Sequence, residues 1–215
     1  MPIVKRSTEG SQNRESSRIE SFSDNVFAIA LTLLVLAIKV PNISEVNPQA
    51  SLLQQLASQW PSYVTYVISF ITVLLMWINH HVMFERVQKP DHALMILNGL
   101  MLLPVTLVPF PTSLLAVFIQ HPEARYAAAL FAGSYVMIAG MYNLVWMHIT
   151  RLNKRLGIKE DETKLAKQTH KIRLVFVLYM VSFLLGFVYP KGCVALCFLL
   201  VVYLALPEFS NKPDG

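Results

Sequence analysis

Charge is what this sequence has least of. Only 14% of its 215 residues are Asp, Glu, Lys or Arg, against about 25% in a soluble domain. Hydrophobic residues make up 54%, and mean hydropathy is +0.49. So few charges cannot coat a water-facing surface, and much of that surface must face lipid. An ordinary cytosolic enzyme and a disordered tail are thereby excluded. Cysteine is equally scarce: Cys193 and Cys197 are the only two, too few for a secreted disulfide scaffold. Also missing are a Gly-rich phosphate loop, a nucleophile elbow and a zinc-protease helix. His80 and His81 are adjacent, so on a helix they point about 100° apart and cannot grip one metal as an i, i+4 pair does. His92, His121, His148 and His170 fall near expected span ends, and Cys193 and Cys197 share a helical face with no His or acid nearby in sequence. Neither catalysis, nor a cofactor, nor a metal site is expected. Asn42-Ile43-Ser44 matches a glycosylation acceptor, a tripeptide common by chance.

What is present is six apolar runs, at about 24–40, 61–84, 93–119, 126–149, 170–189 and 193–206. The expected plan is an all-α integral membrane protein: a polar tail over 1–17, a six-helix domain over 18–206 and a short tail over 207–215. The first run ends in Lys39-Val40-Pro41 with no small-residue cleavage site, so it reads as a retained helix and not a signal peptide. Pro61 suits a first helical turn. Pro104, Pro109 and Pro111 should kink or break the third run. Ala128, Ala129, Ala132, Gly133, Ala139 and Gly140 should let the fourth approach its neighbours closely.

Counting the runs alternately puts 15 basic residues on one side and three, Lys39, Arg125 and Lys191, on the other. Cytoplasmic loops carry the excess of Lys and Arg, so both termini should be cytoplasmic in a multi-pass cell-membrane protein. That asymmetry also accounts for the net charge of +5 without a nucleic-acid partner. The stretch from Arg151 to Arg173 is the one sizeable soluble piece. Its Glu160-Asp161-Glu162 run, followed by Lys164 and Lys167, reads as the start of a helix entering the fifth span. In the Pro41–Gln59 loop, Leu52, Leu53 and Leu56 have helical spacing, suiting an interfacial helix or an extension of the second span.

Ionisable residues inside a membrane segment are costly and usually serve function or assembly. Asp24, close to Arg18 and Ser23, is nearly the only carboxylate at or within a span. Ser23 or Asp24 is placed to cap the first helix, and Asp24 to pair with Arg18 or with another helix. Beyond it, Ile29, Leu33 and Leu36 form one stripe within about 60° of arc, with Thr32 beside it. Ala30, Leu31, Leu34 and Val35 on the other sides are equally apolar. Periodicity therefore leaves open which face lines a pore.

Arg18-Ile19-Glu20-Ser21-Phe22-Ser23-Asp24 is an R-x-x-x-F-S-D sequence at the entrance of the first span. It closely resembles the motif of the transmembrane protein 175 family, whose animal members are endolysosomal potassium channels. Ala28-Ile29-Ala30, Thr32-Leu33-Leu34, His80-His81 after Trp77, and Pro109-Phe110-Pro111-Thr112 look like further features of that family. The resemblance implies a channel without a carbonyl selectivity filter, and no T-V-G-Y-G loop occurs here. It implies first helices lining a central pore and, with one six-helix unit per chain, a homotetramer. It implies Ile29 as the constriction, Leu33 and Leu36 as successive apolar rings, and Thr32 as a position influencing ion preference. Arg18, Phe22, Ser23 and Asp24 would form the packing and hydrogen-bond cluster that holds the first helix. The expected function is a potassium-selective or potassium-preferring cation channel, with membrane lipid and permeant monovalent cations as partners. Alternatives are a secondary transporter of a cation or small solute, favoured only by the broken third span, and a non-conducting assembly or sensor protein.

Overall fold

A computed structural model describes residues 3–41, 51–87, 89–158 and 161–210, with side chains from Ser16 to Leu206 within those ranges. Asn42-Ile43-Ser44, Glu160 and the end of the chain beyond Ser210 lie outside the described residues. Among those described, regular structure is entirely helical. Helix α1 (Ile3–Leu33) runs on into a 3-10 turn, Leu34–Ala37. There follow α2 (Leu52–Ser58), α3 (Trp60–Phe84), α4 (His92–Leu107), α5 (Pro109–Phe118), α6 (Ala124–Arg155), α7 (Glu162–Val188) and α8 (Pro190–Ser210). Five segments are long and apolar enough to cross a membrane: Ser16–Ala37, Trp60–Phe84, His92–Phe118, Ala124–Arg155 and Glu162–Val188. The remaining apolar helix, Pro190–Leu206, is shorter.

One local expectation changes, and two are met. The first helix starts at Ile3, well ahead of the apolar run, so neither Ser23 nor Asp24 caps it; other helices take both side chains. The third run does break: α4 ends at Leu107 and α5 begins at Pro109, whose nitrogen has no hydrogen to donate. Finally, the soluble stretch is mostly helix. α6 reaches Arg155 and α7 starts at Glu162, with the Asp161 carboxylate accepting from the Thr163 and Lys164 N–H groups at 3.0 and 3.2 Å. The acidic start before basic residues is the arrangement a helix dipole favours. The leucines of the first loop form α2, closed by a capping box in which Ser51 and Gln54 bond reciprocally.

Helix α6 forms the centre. It buries Phe131, Tyr135, Ile138, Val145 and Trp146 and packs against α4, α5, α7 and α8. Its small residues do what their pattern promised. A Cβ on Gly186 of α7 would lie 2.8 Å from the Ala129 backbone nitrogen, so the two backbones meet where only glycine fits. Against this centre α3 brings Ile68, Val73, Leu75 and Phe84. Hydroxyls buried in lipid-facing helices need partners, and the helix backbone supplies many: Thr65 donates to Pro61 O and Thr72 to Ile68 O. Helix α1 sits at the edge of the bundle, against α3 and α4, through Phe27, Ala30 and Leu34.

Candidate functional site

The buried side of α1 is tied down by a directed chain of hydrogen bonds. His80 Nε2 of α3 donates to Asn98 Oδ1 of α4 at 2.9 Å. Asn98 Nδ2 donates to Ser23 Oγ at 2.9 Å, and Ser23 Oγ donates to Ile19 O of its own helix at 2.9 Å. This direction, with the His80 proton on Nε2, is the one in which every link has a donor and an acceptor. All three side chains are buried. One turn before His80, Trp77 Nε1 donates to Asp24 Oδ1 at 2.8 Å. The His80 ring stacks on Phe84 at 4.4 Å and tilts against Phe27 at 5.5 Å. Three helices are thus joined at one level, each polar group satisfied in a setting where an unmet one is expensive.

The opposite side of α1 is largely exposed. Phe22 is 59% exposed, Ile29 58%, Leu33 41% and Leu36 67%, with Arg18, Asn25, Ala28 and Thr32 on the same open side. The tie left by sequence periodicity is broken by the buried set, Ser23, Phe27, Ala30, Leu34 and Ala37, which turns Ile29, Leu33 and Leu36 outward. The 3-10 turn helps: residues three apart eclipse there, so Leu33 and Leu36 fall in line while Leu34 and Ala37 both point to the core. Thr32 Oγ1 donates to Ile29 O at 2.8 Å, which leaves its oxygen lone pairs facing outward. Val35, which periodicity grouped with the other faces, is also 52% exposed.

The expected anchoring cluster is therefore only partly assembled. Ser23, Asp24 and His80 meet; Arg18 and Phe22 lie on the open face, and Asp24 pairs with α3 and not with Arg18. His81 points away, exposed, 3.6 Å from Glu85. Among the described residues no group of three His, Cys, Asp or Glu side chains is placed to hold a metal. At one end of the bundle, His148 Nε2 of α6 lies 2.9 and 3.0 Å from the two oxygens of Asp91, which also accepts from Leu94 N–H at the start of α4. Partial burial pushes the Asp91 pKa upward, but the Leu94 and His148 hydrogen bonds outweigh it and hold it below the ordinary carboxylate value.

The family profile described as endosomal/lysosomal potassium channel TMEM175 matches residues 18–109. A relative named as a potassium channel of Chamaesiphon minutus is 44% identical over 198 residues, covering 92% of this chain and 97% of its own. This chain belongs to the TMEM175 family. Its TMEM175 fold agrees: the crystal structure of a lysosomal potassium-selective channel TMEM175 homolog from Chamaesiphon minutus superposes with a TM-score of 0.82 at 44% identity, over 91% of this chain and 98% of that one. The human endosomal/lysosomal proton channel TMEM175 is 33% identical over 132 residues, 59% of this chain and 26% of the human one. The family description is that of an ion channel and not of an enzyme. The profile match spans every member of the α1 anchor, from Ser23 and Asp24 to Trp77, His80 and Asn98.

Trp77 and Asn98 are the members sequence reasoning did not place. Asn98 carried a signal, being the lone amide in the apolar stretch from Ala93 to Leu103. Trp77 lies one turn before His80 and so shares its face. A second hydroxyl relay had no such signal. Tyr135 donates to Ser69 Oγ at 3.0 Å, Ser69 meets Thr112 Oγ1 at 2.7 Å, and Thr112 donates to Val108 O at 2.8 Å. It closes off the carbonyl at the α4–α5 break.

Proposed function

We propose that this protein is a potassium-preferring cation channel in which four copies surround one axis and the open faces of their α1 helices line the pore. The observation that carries this reading is the two-sidedness of α1. One side is fixed to α3 and α4 by buried hydrogen bonds, while the other leaves Ile29, Leu33, Leu36 and Thr32 exposed. The relatives named as potassium channels support the same function. Four Ile29 side chains at the axis would make an apolar ring with no dipole to replace an ion's hydration shell. Such a ring closes by dewetting and conducts when it widens. Selectivity then comes from partial dehydration at Ile29, with the outward oxygen of Thr32 beside it and no carbonyl filter.

In this reading α8 is the sixth span and completes the domain over 18–206, with both termini cytoplasmic in the cell membrane. No cofactor enters; the ligands are the permeant potassium ions. The carrier reading rested on the broken third span. That break has a local cause in the missing Pro109 N–H, and the Val108 carbonyl beside it is bonded by both the N–H and the hydroxyl of Thr112.

Single-channel recording from purified protein in a bilayer tests the proposal. Discrete unitary currents, with a reversal potential favouring potassium over sodium, are expected; saturable flux without them would make the protein a carrier. Ile29→Asn should leak under conditions that close the parent and lose potassium preference, because water wets the new amide. Wild-type closure and selectivity in a well-folded Ile29→Asn channel would remove Ile29 from the constriction. For topology, external labelling should modify Ser51→Cys and spare Thr163→Cys; the reverse pattern would overturn the orientation.

A further inference from the structure

The C-terminal end of α6 and the N-terminal part of α7 open a cleft of about 820 Å³. Arg151 and Lys154 line it from α6, and His170 and Arg173 from α7. The one carboxylate lining it is Glu162, and among the described residues it makes no ion pair with any of these four groups. Converging like charges cost free energy unless an anion joins them. The cleft is also amphipathic: Ile158, Leu165 and Ala166 line it together with the basic groups. Its depth in a bilayer follows from helix length. With 32 residues at 1.5 Å each, α6 extends about 48 Å, against a hydrocarbon core of about 30 Å. One end must therefore stand among the headgroups, and Arg151, Lys154 and Arg155 mark which.

We infer that this cleft binds the phosphate of an anionic glycerophospholipid, with Arg151 and Arg173 gripping the phosphodiester from two helices. Arginine suits that role because its planar donors match phosphate oxygens in pairs, and basic pockets between membrane helices are known to take such headgroups. The apolar lining selects a lipid over free phosphate, since it offers a surface to the glycerol and upper acyl carbons. Behind the cleft wall, Trp146 Nε1 donates to Thr169 Oγ1 at 2.8 Å, and the Arg86 guanidinium lies 5.5 Å from the centre of the Trp146 ring. The Trp146–Thr169 bond thus ties α6 to α7 beside the cleft. This site is independent of the pore.

The test is native mass spectrometry of the full chain in detergent with equimolar phosphatidylglycerol and phosphatidylcholine of matched acyl chains. Retention should favour phosphatidylglycerol, by about five-fold for each basic side chain engaged. Arg151→Gln with Arg173→Gln should bring the two lipids near parity. Arg151→Lys with Arg173→Lys, which keeps the charge but not the paired donors, should fall between the parent and the Gln variant, and Lys191→Gln at the other end should leave the preference intact. These side chains are exposed, so the variants should fold as the parent does. Equal retention of both lipids by the parent, or an equal loss in Lys191→Gln, would overturn the site. Inorganic phosphate should displace the lipid no better than chloride at equal ionic strength. If it strips the lipid specifically, the cleft serves free phosphate and the lipid assignment falls.

Discussion

Helices α1 and α7 bury similarly small shares of their membrane windows, 22% and 17%, yet their free faces differ in kind. Beyond Arg173 that of α7 is apolar, with Val177, Val181, Leu184 and Phe187 outward, a surface that lipid covers well. That of α1 interleaves Phe22, Ile29, Leu33 and Leu36 with Arg18, Asn25 and Thr32. Their attachments differ as well. Within the apolar part of α7 the attachment is close backbone contact, Gly186 against Ala129, with hydrogen bonds from α6 only near its start, at Thr169 and Ile172, whereas α1 is held by hydrogen bonds from Trp77 and Asn98. Close backbone contact sets how near two helices lie; a directed polar chain fixes rotation and height as well. A helix whose outward side chains must meet their copies at an axis needs the second kind of attachment, and one that faces lipid does not.

Breaking the polar chain should have the largest effect. Asn98→Ala leaves the buried His80 Nε2 without its acceptor, at about 1–3 kcal/mol, and takes a donor from Ser23, which keeps its bond to Ile19 O. A thermal melt in detergent should fall further than for any exposed α1 substitution, and potassium selectivity in surviving channels should degrade as α1 rotates. An unchanged melt would mean that the chain does not anchor the helix. Next comes Gly186→Ala, whose new methyl meets backbone and not a movable side chain. Overpacking of this kind costs about 1–3 kcal/mol. It should lower the melt while leaving the reversal potential alone, because α7 sits away from the proposed axis.

A matched pair sharpens the contrast between the free faces. Val181→Asn puts an unpartnered amide toward lipid and should reduce membrane yield, at about 1–3 kcal/mol. Ile29→Asn should spare yield and alter conduction, since water reaches it in the open pore. Equal losses of yield would mean that both faces meet lipid. The smallest effect is expected at Asp91. Its pKa is lowered in the fold, so the interaction stabilises above the unfolded value near pH 3.9 and fades as pH falls through the lower folded value. Asp91→Asn keeps an N-cap residue but weakens the tie to His148. It should cost at most about 1 kcal/mol at neutral pH, and the difference should shrink as melts are taken to acid through the lowered folded value. A difference that grows with acidity would reverse the sign assigned to this pair.

The sequence by itself determined the membrane class, because 14% charge cannot dress a soluble surface whatever the tertiary arrangement. It also determined that the proline-bearing third run is interrupted, since a missing N–H is a local fact, though the helix continues through Pro104 and breaks before Pro109. The close approach along α6 was determined in the same way, where Ala and Gly offer no bulk to any neighbour. The R-x-x-x-F-S-D stretch marked the family from within one helix. What the sequence left open on α1 was rotation. Every face of its inner half is apolar, so periodicity alone gives no preferred side. The tertiary structure decided it by placing Trp77 and Asn98, 53 and 75 residues from their partners, against Asp24 and Ser23. It also separated Arg18 and Phe22 from that cluster, although all four share one short motif. Neighbours in sequence on a helix point in different directions, and which of them meets a partner depends on what the rest of the chain packs against each side.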